Sequence, residues 1–369
     1  MARLDPTIAA SRRGRLGRPI RETSAGGGTR RVTELSTVGL MAVMLASLEE
    51  LLDDVDARAP FRTSDALSGS RFEAVRFRGR RMILKYVGVD DDWIMRASGD
   101  LHCRQLRLFQ SGVLSRLPAS IDHAIVAVAP YRSERGHTGA AILMREVATF
   151  LIPPGSAPID LRTHLRFLDH MAELHAAYWG WEDAFELFPL AHHYVFLTPT
   201  MAAIEQERGS TDPVPRAVAE GWARLHRLWP KTAATLTELA EDPGALAGAL
   251  DAGPQTLVHG DWKLGNLGEH ADGRTILLDW DRCGAGPATF DLAWYLAVNC
   301  DRLPQSKEAA IDAYRGSLQT HGVSVDGWWD SQLALTSLGA FLMLGWAKTD
   351  DPVEFRWWES RLADGLARL

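Results

Sequence analysis

Leu257-Val258-His259-Gly260-Asp261-Trp262-Lys263-Leu264-Gly265-Asn266-Leu267, followed by Ile276-Leu277-Leu278-Asp279-Trp280-Asp281, is the stretch on which the fold turns. Each run is an apolar strand that ends in, or opens from, a cluster of polar groups. Between them stands Asp272-Gly273, a dipeptide that favours a two-residue hairpin turn. A turn centred there predicts that Asn266 sits opposite Asp279 on paired strands. An amide oxygen and a carboxylate then converge on one point, a donor pair suited to Mg²⁺, which completes its shell with water and phosphate oxygens. Asp261 lies just ahead of the first strand, where it can accept a proton from a substrate hydroxyl. Metal ligands, a group that orients the nucleophile, and cations near the phosphates are the parts that phosphoryl transfer needs.

Upstream, the pattern changes character. Residues 40–58 carry Leu45, Leu48, Leu51, Leu52 and Val55 at helical spacing, which predicts a helix. Phe72, Val75 and Phe77 predict a strand, Arg78-Gly79-Arg80 a turn, and Met82 to Val87 a return strand on which Ile83, Lys85 and Val87 share a face. A helix is expected over 100–116, and strands over 121–130 and 140–144. Pro153, Pro154 and Pro158 then break the chain. From about residue 160 the spacing is mainly helical, apart from the β island at 255–281. The fold class expected is α+β: a β-rich N-terminal lobe over 36–147 and a mainly helical lobe over 148–369. Residues 1–35, with eight Arg, three acids and a Gly26-Gly27-Gly28 run, are expected to be a disordered basic segment.

Together, His259-Gly260-Asp261 with Asn266, then Leu277-Leu278-Asp279-Trp280-Asp281, resemble the catalytic and metal loops of the aminoglycoside phosphotransferase/choline kinase family, which has a bilobal protein-kinase-like fold. The resemblance implies ATP and Mg²⁺ as cofactors and a small-molecule hydroxyl as acceptor. It implies that Asp261 orients or deprotonates the nucleophile, that Lys263 faces the transferred phosphate, and that Asn266 and Asp279 hold Mg²⁺. His259 and Asp291, the latter in Phe290-Asp291-Leu292-Ala293-Trp294, would support the loop; helix capping is the rival role for Asp291. Asp281 has two readings, a further metal acid or a solvent-facing acid paired with Arg282 or another cation. On the nucleotide side, Ser68-Gly69-Ser70 resembles a phosphate-covering loop and Lys85 the phosphate-binding lysine, while backbone groups of Glu146 and Val147 would meet the adenine edge. The chain departs from the family at Gln105, which stands where a glutamate would pair with that lysine.

Other classes fit poorly. The chain has no GxxxxGK[ST], no strand-linked GxGxxG, no GxSxG and no HExxH. A net charge of −7 does not indicate nucleic-acid binding. No apolar run reaches the roughly 18 residues of a membrane span. Cys103, Cys283 and Cys300 form no CxxC pair, so free thiols and a cytoplasmic location are expected. Oligomeric state has no signature in the sequence. A protein kinase is disfavoured because HGD replaces HRD and no APE-type segment follows Asp279. A nucleotide-binding pseudokinase is the alternative that Gln105 raises. Glu182, Asp183, Glu186, Asp350 and Asp351 are candidates to attract a cationic acceptor, with surface solvation as their ordinary role.

Overall fold

A computed structural model describes residues 42–61 and 68–369. The basic segment 1–35 lies outside the described residues.

The N-terminal part starts with β1 (Val43–Met44), α1 (Leu48–Leu52) and β2 (Val55–Phe61), then β3 (Arg71–Phe77) and β4 (Arg80–Gly88). Two short helices follow, α2 (Trp93–Ala97) and α3 (Arg104–Ser111), then β5 (Ile121–Asp122), β6 (Ile125–Arg132) and β7 (Thr138–Arg145). Among the described residues the main sheet runs β1-β6-β7-β4-β3-β2. The helix expected over 40–58 is therefore confined to α1. Ser47 starts it by accepting the Glu50 N–H, and Val55 begins a strand whose residues pair antiparallel with β3, from Val55↔Phe77 to Phe61↔Phe72. Sheet pairing outweighs a five-residue leucine pattern that α1 alone absorbs.

The turn between β3 and β4 is tight. Phe77 pairs with Arg80, and both Arg78 and Gly79 have positive φ, at 48° and 76°, the geometry of a type I′ turn. The alternation along β4 then divides its side chains between two sides. Met82, Leu84 and Tyr86 pack with Leu51, Val75 and Phe77 in one core. Lys85 and Val87 face the other way, towards the helical lobe.

That lobe is built from α4 (Leu161–Ala177), α5 (Leu190–His193), α6 (Pro199–Glu207), α7 (Pro213–Leu228), α8 (Pro230–Glu241) and α9 (Pro243–Asp251). Next come the short strands β8 (Thr256–Val258), β9 (Leu267–Glu269), β10 (Thr275–Leu277) and β11 (Gly284–Gly286). The helices α10 (Thr289–Val298), α11 (Lys307–Thr320), α12 (Trp329–Leu344), α13 (Pro352–Glu359) and α14 (Leu362–Leu366) close the chain. The apolar stripe of α4 buries Leu168, Met171 and Leu174 completely. One large core joins these helices to the inner face of the sheet through Val87 and Ile142. A bidentate ion pair ties the two parts together: Arg96 on α2 meets buried Glu205 on α6 at 2.7 and 3.0 Å.

The β island differs from the predicted hairpin by one residue. Leu277 pairs with Leu267, Ile276 with Gly268 and Thr275 with Glu269. Asn266 therefore faces Leu278, whose N–H donates to the Asn266 carbonyl at 2.9 Å. His270 and Arg274 close a three-residue loop, and Gly273 takes the positive φ of 88° that such a loop needs. Asp272 accepts the Arg274 N–H inside that loop, so the Asp-Gly pair occupies its second and third positions.

Candidate active site

The two lobes enclose a cleft of about 320 Å³, and Lys85, Asp261, Lys263, Asp279, Asp281 and Arg282 stand in its wall. The loop bearing Asp261 leaves β8 and is clamped from below. Asp291, in the first turn of α10 and fully buried, accepts the N–H of His259 at 2.7 Å and of Gly260 at 2.8 Å. Oδ2, the oxygen that accepts from His259, also meets His175 Nε2 at 3.2 Å. Asp291 does not cap α10, whose N-cap is Ala288. Burial works against its charge, but the histidines and backbone donors hold its carboxyl below the usual range. Gly260 has φ +78°, and a Cβ there would lie 2.3 Å from the Arg282 carbonyl; the loop needs glycine at this point.

His259 has a structural geometry. Its Nδ1 accepts the Asp261 N–H at 3.2 Å, and its Nε2 meets the Leu278 carbonyl at 3.0 Å. Those partners require the neutral tautomer protonated on Nε2, and burial lowers its pKa accordingly. The ring thereby links the Asp261 loop to the strand that leads to Asp279.

Asp261 takes four donors. Oδ1 accepts from Arg282 at 2.9 Å and from the Trp294 indole N–H at 3.0 Å. Oδ2 accepts from the Asn266 amide at 3.0 Å and from Lys263 Nζ at 2.8 Å. Burial opposes ionisation, but Arg282 and Lys263 outweigh it and bring the carboxyl down to about 2. Arg282 and Trp294 were not anticipated from the sequence. A usable signal existed for Trp294: it lies three residues after Asp291 on α10, so the two share a helix face. Arg282 had none, because its partner is reached through a turn.

That turn is at Asp279, whose φ of 58° and ψ of 65° put it in the left-handed region. Asp279 is thus one residue past the Asn266–Leu278 pair and swings back into the cleft. Lys85 Nζ bonds Asp279 Oδ1 at 2.8 Å and Asp281 Oδ2 at 2.9 Å. The cation that pairs with Asp281 is Lys85 rather than Arg282, which serves Asp261. The lysine side chain is 4% exposed. Burial disfavours its charge, yet the two carboxylates raise its pKa. Burial also pushes both carboxyls up; Lys85 prevails at Asp279, whereas Asp281, with Asp279 beside it, stays above the usual range.

The donor chemistry fits Mg²⁺. Asp279 and Asp281 offer carboxylate oxygens, and the Asn266 amide nitrogen is engaged by Asp261, leaving its amide oxygen for a cation. No group of three or more His, Cys, Asp or Glu among the described residues makes a metal cage. An ion here would take few protein oxygens and fill its shell with water or phosphate, as Mg²⁺ does.

The remaining predicted residues are more dispersed. Ser68 lines the cleft. Gly69 has φ +93°, and a Cβ there would lie 2.2 Å from the Asp91 carbonyl. Ser70 donates to Asp92 at 3.1 Å. Both pin Ser68 against the 91–92 turn rather than lining the cleft themselves. Glu146 pairs with Arg81 at 2.8 Å, and Val147 is buried with Ala124 and Ile276; neither lines the cleft. Gln105 does line it, 5% exposed, and its amide nitrogen has no partner among the described residues. Asp100, the acid nearest to it, accepts the Arg104 N–H at the start of α3. Lys85 thus finds its carboxylates in the helical lobe, not on α3.

Asp92 is a further buried acid on the cleft wall. It caps α2 through the N–H groups of Ile94 and Met95. Burial, then the neighbouring Asp281 charge, push its carboxyl up to about 6. A folded-state pKa above the ordinary 3.8 means that stability falls as pH rises between these values. Asp92→Asn keeps the cap and removes the buried charge. We expect it to stabilise the ligand-free protein by about 2–3 kcal/mol at pH 8, with the gain vanishing below pH 4 in urea unfolding.

Residues 153–324 match the model of a phosphotransferase enzyme family. The match covers α4 through α11 and both loops of the site. The architecture is the bilobal protein-kinase-like fold, with its β-rich and helical parts in the expected order. Among solved structures, a microcompartment-associated aminopropanol kinase is 15% identical, with 86% of this chain and 94% of that chain covered and a TM-score of 0.49. A choline kinase of Streptococcus pneumoniae is 14% identical over 87% and 97%, TM-score 0.44. A type VIII aminoglycoside-3'-phosphotransferase is 18% identical over 80% and 96%, TM-score 0.45. No curated protein matches the chain significantly. No helix of the described residues is long and apolar enough to cross a membrane.

Proposed function

We propose that this phosphotransferase moves the γ-phosphate of ATP to a hydroxyl group of a small molecule. The observation that carries the reading is Asp261, held ionised by four donors in a cleft whose opposite wall presents Lys85. The acceptor oxygen attacks the γ-phosphorus, the bond from that phosphorus to the β-phosphate oxygen breaks, and ADP leaves with the electron pair. The hydroxyl proton passes to Asp261 and on to solvent. A carboxylate with a pKa of about 2 is a weak base, so its main contribution is to orient the hydroxyl, which suffices for a loose transition state. Lys263 turns from Asp261 to the transferred phosphate. Lys85 meets the phosphates from the sheet side, with Ser68, positioned by Gly69 and Ser70, covering them. Asn266, Asp279 and Asp281 would hold Mg²⁺, which would supply charge neutralisation at the phosphates. The family resemblance would bring the adenine edge to the backbone at Glu146 and Val147, although neither residue lines the cleft.

Thermal unfolding with Mg²⁺ and ADP tests the nucleotide half. A hundredfold excess over Kd is expected to stabilise the protein by about 2.7 kcal/mol. Asp279→Asn should raise the Mg²⁺ concentration needed by about 10- to 100-fold. No response to any nucleotide from a folded sample contradicts the proposal. The unpartnered amide of Gln105 favours the pseudokinase as second reading; nucleotide binding without transfer to any hydroxyl compound would select it.

A further inference from the structure

The acceptor half of the cleft carries information that the motifs do not. It lies between the start of α7, the end of α10 and residues 344–347, against α2. Val214, Ala217, Val298, Leu344, Trp346 and Met95 make its surface predominantly apolar. A cationic acceptor would need carboxylates or open aromatic faces here; among the described residues the carboxylates and the rings beside Asp261 are already engaged, and Trp346 is buried with its ring against Gly221. The rings beside Asp261 are occupied by the protein's own cation: the Arg282 guanidinium carbon lies 4.6 Å from the Trp294 ring centre and 5.0 Å from that of Phe196. Asp279 and Asp281 share Lys85, and Asp261 keeps Arg282 even when Lys263 turns to the phosphate. Asp92 caps α2, and Asp100 accepts the Arg104 N–H at the start of α3. Among the described residues that leaves Glu220, exposed at the rim with Arg216 also in the lining.

The acids once considered for attracting a cation are elsewhere. Asp183 accepts the Phe185 and Leu187 N–H groups, Glu186 pairs with Arg107, Asp350 with Arg224, and Asp351 caps α13. None of them, nor Glu182, lines the cleft. Buried guanidinium and apolar walls together penalise an ammonium, which would lose its water without gaining a counter-charge.

Resting on the phosphotransferase reading, we infer that the acceptor is an uncharged, largely apolar alcohol rather than an amino alcohol or an aminoglycoside. Its hydroxyl meets Asp261 at the polar end, and its body fills the apolar wall on α7, α10 and residues 344–347.

Calorimetric titration of the full-length protein, with and without Mg²⁺–ADP, decides this. The probes are uncharged arylalkyl, terpenoid and macrolactone alcohols, set against choline, ethanolamine and kanamycin. At least one uncharged alcohol should bind tenfold or more tighter than every cation. A cation that binds as tightly as the best alcohol, or no binding by any uncharged probe, overturns the inference. In the Val214→Asp/Ala217→Asp double variant the alcohol should lose at least tenfold in affinity while choline gains. Equal losses for both classes, with the Mg²⁺–ADP thermal response intact, would likewise overturn it. If Mg²⁺–ADP has no effect on the wild type, the phosphotransfer reading fails, while the nucleotide-free ranking still decides the acceptor class.

Discussion

Asp261→Asn is expected to lower phosphate transfer by about 10²- to 10⁴-fold while leaving the thermal response to Mg²⁺–ADP in place. The substitution keeps the shape of the side chain but replaces one oxygen by a donor. The retained oxygen can still accept from Arg282 and Trp294, as Oδ1 does now. The new amide nitrogen then faces the Asn266 amide and the Lys263 ammonium, both donors. The acceptor hydroxyl consequently loses the anion that orients it. A rate within tenfold of wild type, measured with an acceptor found by a phosphate-transfer screen, would remove Asp261 from the mechanism.

The same residue makes a prediction about pH. Its folded carboxyl lies at about 2, below the ordinary 3.8. Such a group contributes stability that is fully present above the unfolded value and is lost as pH falls through the folded one. Acid unfolding of the wild type should therefore include a component between about pH 4 and pH 2 that Asp261→Asn lacks. Between pH 5 and 8 Asp261 stays ionised, and no limb of the pH–rate profile should move with it.

Asp291→Ala should have the largest effect on stability, about 3–5 kcal/mol in urea unfolding. The carboxylate is fully buried and gathers the N–H groups of His259 and Gly260 with the His175 ring. Alanine leaves those donors in a dry site with nothing to bond. Two of the three are backbone groups of the loop that presents Asp261, so transfer should fall along with stability. Asp291→Asn, which retains one accepting oxygen, should recover part of both. Midpoints within about 1 kcal/mol of wild type for Asp291→Ala would show that the clamp contributes little.

Much of the site was legible because its residues are close in the chain. Strand, polar cluster, turn and strand occur within 257–281, and short-range pattern suffices to pair two short strands there. The order of β-rich and helical parts was legible for the same reason, since alternation and helical spacing are local properties. Even so, the register came out one residue away. Asp272-Gly273 can serve a two-residue turn or the last two positions of a three-residue loop, and the local dipeptide does not separate them. The closure of His270 on Arg274 selects the latter, so Asn266 meets Leu278 and the left-handed backbone at Asp279 restores the convergence on the cleft.

The tertiary structure decided which charges meet. Lys85 reaches Asp279 across 194 residues of chain, and no spacing rule connects them. Its counter-charges are the two acids of the helical lobe, while Gln105 stays uncharged and unpartnered on α3. Arg282, adjacent to Asp281 in sequence, is turned away from it and buried against Asp261, Trp294 and Phe196. Each of these outcomes follows from burial: a charge taken out of water must find a partner in three dimensions, and which partner is near depends on how the lobes close. Residue order along 257–281 therefore determined which candidate groups lie close together, whereas the packing of sheet on helices determined which ion pairs form in the cleft.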